Sequence, residues 1–171
     1  MTKNNTHGFS LIELLIVVGI ILIIAAIAVP NLLRSRIAAN ESSAVNTVRQ
    51  ISTAELAYHN TYQGVGYAPD LPSLGGPASG CVPSQANACI LDSVITGGTK
   101  NGYLFFAAGF AAAGATTNTT FVASSAPQNF NSSGVRLFCI ATDDGAVRVK
   151  PGSPGATPAP DVPTCLAYPI L

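Results

Sequence analysis

The sequence of 171 residues predicts an α+β fold: a long N-terminal α-helix packed on a small antiparallel β-sheet of about four strands. Three observations predict it. An apolar run from Phe9 to Val29 has the length of a membrane helix. Helical spacing of apolar residues then continues, in mixed company, to Tyr62. After residue 100, four short segments carry the alternation and the aromatic and β-branched content of strands.

Composition sets the limits on function. Only 9% of the residues are charged, against about 25% in an ordinary soluble domain. Eight Lys and Arg balance eight Asp and Glu, so the formal net charge is zero. A nucleic-acid binder needs a basic face and a polybasic membrane-surface protein needs a basic cluster; neither fits this balance. Hydrophobic residues make up 48% of the chain but are unevenly placed. Between Lys3 and Arg34 the only ionisable side chains are His7 and Glu13.

The first element follows from that gap. Phe9 to Val29 is about 21 residues, or roughly 32 Å as a helix, which matches a hydrocarbon core of about 30 Å. Lys3 lies on one side, and Arg34 and Arg36 lie on the other; so few charges set no orientation. An ordinary secretory signal is cut after its apolar region at small residues, and Ala25, Ala26 and Ala28 supply residues of that kind. The competing reading cuts before the apolar run, between Gly8 and Phe9. The residues Gly8, Phe9, Ser10, Leu11, Ile12 and Glu13 closely resemble the processing motif of the type IV pilin (prepilin) family.

That resemblance implies a short leader, 1–8, removed by a prepilin peptidase. It also implies methylation of the new amine of Phe9, and a mature chain of 9–171. It further implies a single-pass precursor in the inner membrane, with lipid as its first surroundings, the leader in the cytoplasm and the C-terminal bulk outside. Pilus assembly machinery in that membrane would then pass the subunit into an extracellular filament.

Glu13 is the costly residue in the apolar run. A carboxylate inside a membrane helix costs about 2.5 to 3.5 kcal/mol on insertion scales, and such residues are usually functional. One reading lets Glu13 reach the interface from the helix end. The other uses the cleavage, which creates a positive amine at Phe9. In a low dielectric, amine and carboxylate attract and remove two desolvation costs together. Within one chain they are one turn apart; resemblance to pilins favours the pair between neighbouring chains, as an assembly contact of Glu13 with Phe9.

The hydrophobic segment 9–30 holds Gly19 and Pro30. Proline lacks the amide donor and clashes with the carbonyl four residues back, so a kink is expected. Resemblance adds that the stretch between these two residues can lose helicity in filaments. From Asn31 the helix becomes amphipathic over 31–62, with Ile37, Ala44, Val48, Ile51, Tyr58 and Tyr62 on a stripe that Glu41 and Glu55 interrupt. Glu55 and His59, four apart, are spaced for a surface pair. A helix from Phe9 to Tyr62 would be about 54 residues and roughly 80 Å long. No domain of this size buries such a helix. Its first half needs lipid, or the same segment from other subunits arranged by a non-closing operation.

Residues 63–100 are dense in Gly, Pro, Ser and Asn and read as a long loop. The rest, 101–171, reads as the sheet and a disulfide-bound tail. Four cysteines allow three connectivities. In an exported chain the expected pairs are Cys81–Cys89, closing a local loop, and Cys139–Cys165, tying the tail to a strand. Zinc is not expected, since there is no CxxC and His59 stands alone. The strand candidates are Gly102–Phe110, Thr119–Ser124, Val135–Ala141 and Gly145–Lys150. Asp143-Asp144-Gly145 is a turn signal between the last two; two adjacent aspartates also suggest calcium, which the turn explains better.

No phosphate loop, nucleophile elbow or metal-spaced cluster is present, so neither an enzyme nor a cofactor is expected. Asn40, Asn118 and Asn131 each begin an N-x-S/T triplet, a short pattern frequent by chance. The reading is a structural subunit of a type IV pilus, with itself as principal partner and no nucleic acid. Two alternatives stay open: a periplasmic pseudopilin of a type II secretion system, and a monomeric membrane-anchored binding module.

Overall fold

A computed structural model describes residues 9–77 and 79–171. The chain divides into two compact units, the first ending at Arg36 and the second running from Ile37 to Leu171. One helix, α1 (Leu11–Thr61), contributes to both. The elements that follow are a 3₁₀ turn at Pro72–Leu74, α2 (Ser93–Thr96), β1 (Thr99–Lys100), β2 (Tyr103–Ala111), β3 (Asn118–Pro127), β4 (Arg136–Ala141), β5 (Arg148–Pro151) and α3 (Val162–Leu166).

The second unit is an α+β layer structure. Its sheet has five strands in the order β1-β2-β3-β4-β5, all antiparallel. The sequence leads to about four strands; the extra one is β1, only two residues long. It enters through a two-residue hairpin at Asn101-Gly102, with φ of 48° and 72°. Positive φ at both positions is what an Asn-Gly hairpin turn of this type requires.

Strand alternation gives the sheet two buried faces. On one, Phe105, Ala107, Phe121, Ala123, Phe138 and Ile140 meet Ala44, Val48, Ile51, Ala54 and Tyr58 of α1 in a single core cluster. These helix positions recur every three or four residues, so one stripe of the helix is covered. On the other face Val122, Leu137, Cys139 and Ala141 pack against Ala159, Cys165 and Tyr168 of the C-terminal segment. The Pro-rich tail is thus a third layer. Asp161 caps α3 through the Thr164 amide at 2.8 Å, and Ser124 Oγ donates to the Ala159 carbonyl at 2.8 Å.

The β5 edge is covered, and so is the part of β2 that extends past β1. At β5, the Val149 amide donates to Pro169 and the Leu171 amide to Val147, so the tail runs as a further extended segment. At β2, beyond the reach of β1, the Gly109 amide donates to Ala68. Asn118 pins that loop by accepting from Tyr67, donating from its backbone to Val65, and donating from Nδ2 to the Tyr67 carbonyl. Covered edges do not template pairing with other chains.

Candidate assembly site

The N-terminal unit carries its chemistry at the start of α1. Gly8, the leader 1–8 and Lys3 lie outside the described residues. Ser10 stands immediately before the helix, and its carbonyl accepts from the Glu13 and Leu14 amides at 3.1 and 3.2 Å. The Glu13 Oε2 atom accepts from the Ser10 amide at 3.4 Å. This is the return half of a capping box, in which a Glu three residues past the cap satisfies a free amide at the helix start. The S-x-x-E spacing at Ser10 was the available signal, and the sequence reading passed over it in favour of a partner outside the chain.

Glu13 is surrounded by apolar surface. Phe9 is 77% exposed, and every large apolar residue from Leu11 to Val29 stays exposed. No part of the most apolar window of α1 is buried against the rest of the chain, and the helix is long and apolar enough to cross a membrane. Gly19 faces open space, where a Cβ would meet no atom within 4 Å. Pro30 sits inside the helix, so the Ala26 carbonyl receives no amide from it.

In the second unit, the two carboxylates that interrupt the helix stripe are buried with it. Glu41 accepts from the Val135 amide at 3.0 Å and from the Arg136 guanidinium at 2.8 and 2.6 Å. It joins α1 to the start of β4. Asn40 beside it donates to the Ser133 carbonyl at 3.0 Å. Among the described residues Glu55 has no cation partner. Its Oε2 accepts from the Ala68 amide at 2.8 Å, while Oε1 is buried without a partner. Burial pushes its carboxyl up to about 8; the Ala68 amide opposes that and Asp70 adds to it. The expected surface pair of Glu55 with His59 is therefore wrong, because Glu55 points into the core and the His59 ring lies 4.7 Å from that of Tyr67.

The structure pairs Cys81 with Cys89 and Cys139 with Cys165. Asp144 acts in its turn. It accepts from the Ala146 amide and pairs with Arg148, and these contacts hold its carboxyl below the usual range. Arg148 in turn donates to the Leu166 and Tyr168 carbonyls, holding the end of α3. Of the N-x-S/T triplets at Asn40, Asn118 and Asn131, the first two spend their asparagine side-chain amides internally, and Asn131 lies exposed in a turn.

The chain is similar to known proteins. A family described as "Prokaryotic N-terminal methylation motif" matches residues 3–29. The type IV major pilin protein PilA of Myxococcus xanthus is 37% identical over 73 residues, 39% of this chain and 33% of that protein. The type IV wide pilus major component PilA4 of Thermus thermophilus is 56% identical over 39 residues, 23% of this chain and 30% of that protein. The chain thus spans about a third of the length of the curated relatives it matches. No solved structure matches it.

Proposed function

We propose that this chain, whose N-terminal segment is that of the type IV pilin family, is a structural, non-catalytic subunit of a type IV pilus. A prepilin peptidase cuts between Gly8 and Phe9, and the amine of Phe9 is methylated. The precursor sits in the inner membrane through 9–30, surrounded by lipid. Assembly machinery in that membrane moves the processed subunit into a filament on the cell surface.

One observation carries this reading: a processing-motif helix whose apolar side chains find no cover in their own chain. Each large apolar side chain left in water forgoes about 1.5 to 3 kcal/mol. Lipid covers that surface in the precursor. A bundle of identical helices covers it in a filament, and a non-closing packing operation lets the bundle grow without limit.

Assembly exchanges the Glu13 cap for an ion pair. The Ser10 amide is a neutral donor at long range, whereas the processed Phe9 amine of a neighbour is a full charge. In an apolar bundle the charged pair is the stronger partner, and it sets the axial register of adjacent helices. Glu13→Leu keeps the helix apolar and leaves the cleavage residues intact. The expected outcome is normal insertion and cleavage with few or no filaments by electron microscopy. Wild-type numbers of filaments from Glu13→Leu would sink the pairing step.

A further inference from the structure

Charge is unevenly spread along α1. Between Glu13 and Glu41 the helix holds no Asp or Glu, and its charged side chains there are Arg34 and Arg36. Both are exposed, and among the described residues neither forms an ion pair. Glu41, the next carboxylate along the helix, is spent on Arg136 and on the Val135 amide. Two guanidiniums thus stand without a counter-charge among the described residues.

Their neighbours are not those of an ordinary solvated face. Leu32 and Leu33, immediately before Arg34, are 55% and 44% exposed. Exposed apolar side chains beside unpaired cations, just past a helix of membrane length, suit the boundary between hydrocarbon and water.

Depth agrees with composition. With 9–30 in the membrane, Val29 marks the end of the hydrocarbon span. At about 1.5 Å per residue, the Arg34 and Arg36 backbones lie roughly 7.5 and 10.5 Å beyond it. The polar layer on each side of a bilayer is about 5 to 7.5 Å thick. Cα–Cβ bonds in a helix tilt toward its N-terminus, here toward the membrane, so both long side chains reach back into that layer. Two positions apart on a helix is about 200° of rotation, so the two arginines address opposite flanks and different lipids.

The group available at that depth is a phosphodiester, whose oxygens match the guanidinium fork bidentately. A zwitterionic headgroup brings its own ammonium to its phosphate. An anionic headgroup does not, and it leaves the charge that an unpaired arginine needs.

We propose that Arg34 and Arg36 form an anionic-phospholipid site, each guanidinium taking the phosphate of a net-negative lipid in the leaflet where α1 leaves the membrane. The site rests on the membrane placement of the proposed function and deepens it by naming the lipid class that holds the precursor.

Native mass spectrometry of the full chain in a neutral detergent tests it. The probes are dioleoyl phosphatidylglycerol and dioleoyl phosphatidylcholine in equal amounts, so that the headgroup alone differs. The wild-type chain should carry about a tenfold excess of phosphatidylglycerol adducts. Arg34→Gln together with Arg36→Gln should bring the two lipids to parity. Arg49→Gln together with Lys100→Gln, which removes the same charge from the second unit, should keep the excess. Arg34 and Arg36 are exposed and Gln is a good helix former, so folding is not at stake. Equal binding by the wild type, an excess that survives the Arg34/Arg36 change, or one equally lost in the Arg49/Lys100 control would overturn the site. Displacement of the lipid by millimolar glycerol phosphate would also overturn it, by assigning the arginines to free phosphate. Filaments of the wild-type chain are counted separately by electron microscopy. Filaments without the lipid preference would overturn the site and leave the pilus reading standing. The preference without filaments would support the site and contradict the pilus reading.

Discussion

Glu55 is the residue whose chemistry is most at odds with its place. Burial raises its carboxyl from 4.5 to about 8, so the folded chain prefers the protonated form at neutral pH. A folded value above the unfolded one means a stabilisation complete below about pH 4.5 and lost as pH rises through about 8. Thermal melting of the detergent-solubilised chain should therefore fall between pH 5 and 9, by an amount of order a few kcal/mol. Glu55→Gln mimics the protonated carboxyl in shape and charge and should flatten that slope; an unchanged slope would place the titration elsewhere. Asp70, whose charge also bears on Glu55, adds to the upward shift. Gly134 is a second sharp point, because a Cβ there would overlap the Tyr103 hydroxyl, which donates to the Arg136 carbonyl at 3.0 Å. Gly134→Ala should cost about 1 to 3 kcal/mol in chemical unfolding.

At the scale of elements, the two disulfides differ in what they hold. Cys139–Cys165 closes a separation of 26 residues and ties the C-terminal layer to β4; Cys81–Cys89 closes 8 within one loop. Chain-entropy reasoning gives the longer closure about 3.5 kcal/mol and the shorter about 2.5. Replacing Cys139 and Cys165 by Ala should raise hydrogen exchange through α3 and β5, whereas replacing Cys81 and Cys89 should leave those segments protected. Legibility also varies by element. β2 to β5 announce themselves through alternation and turn residues, because each strand contrasts with its flanks. β1 is too short to alternate, and its only signal was Asn101-Gly102. The third layer was hidden because 151–171 is rich in Pro and low in periodicity; Asp161 followed by Pro163 marks the start of α3 in hindsight. The burial of Glu41 and Glu55 was beyond local pattern. It depends on Arg136, Val135 and Ala68, which distant segments bring to the helix. The Ser10–Glu13 cap was legible by spacing, while the proposed pairing of Glu13 concerns a second chain and leaves no pattern within one.

For the whole molecule, the two units solve burial in opposite ways. The unit from Ile37 to Leu171 covers both faces of its sheet and the β5 edge with its own residues. The N-terminal unit covers almost nothing of itself; in the proposed function that surface is covered first by lipid and then by copies of the same helix. In the proposed function, cleavage between Gly8 and Phe9 separates those two states, since it would remove the polar leader and create the amine proposed to meet Glu13. Mass spectrometry of filaments sheared from intact cells tests this most directly. This chain is expected in that fraction, beginning at Phe9 with a methylated amine. An uncleaved N-terminus, or a processed chain confined to the membrane fraction, would contradict it.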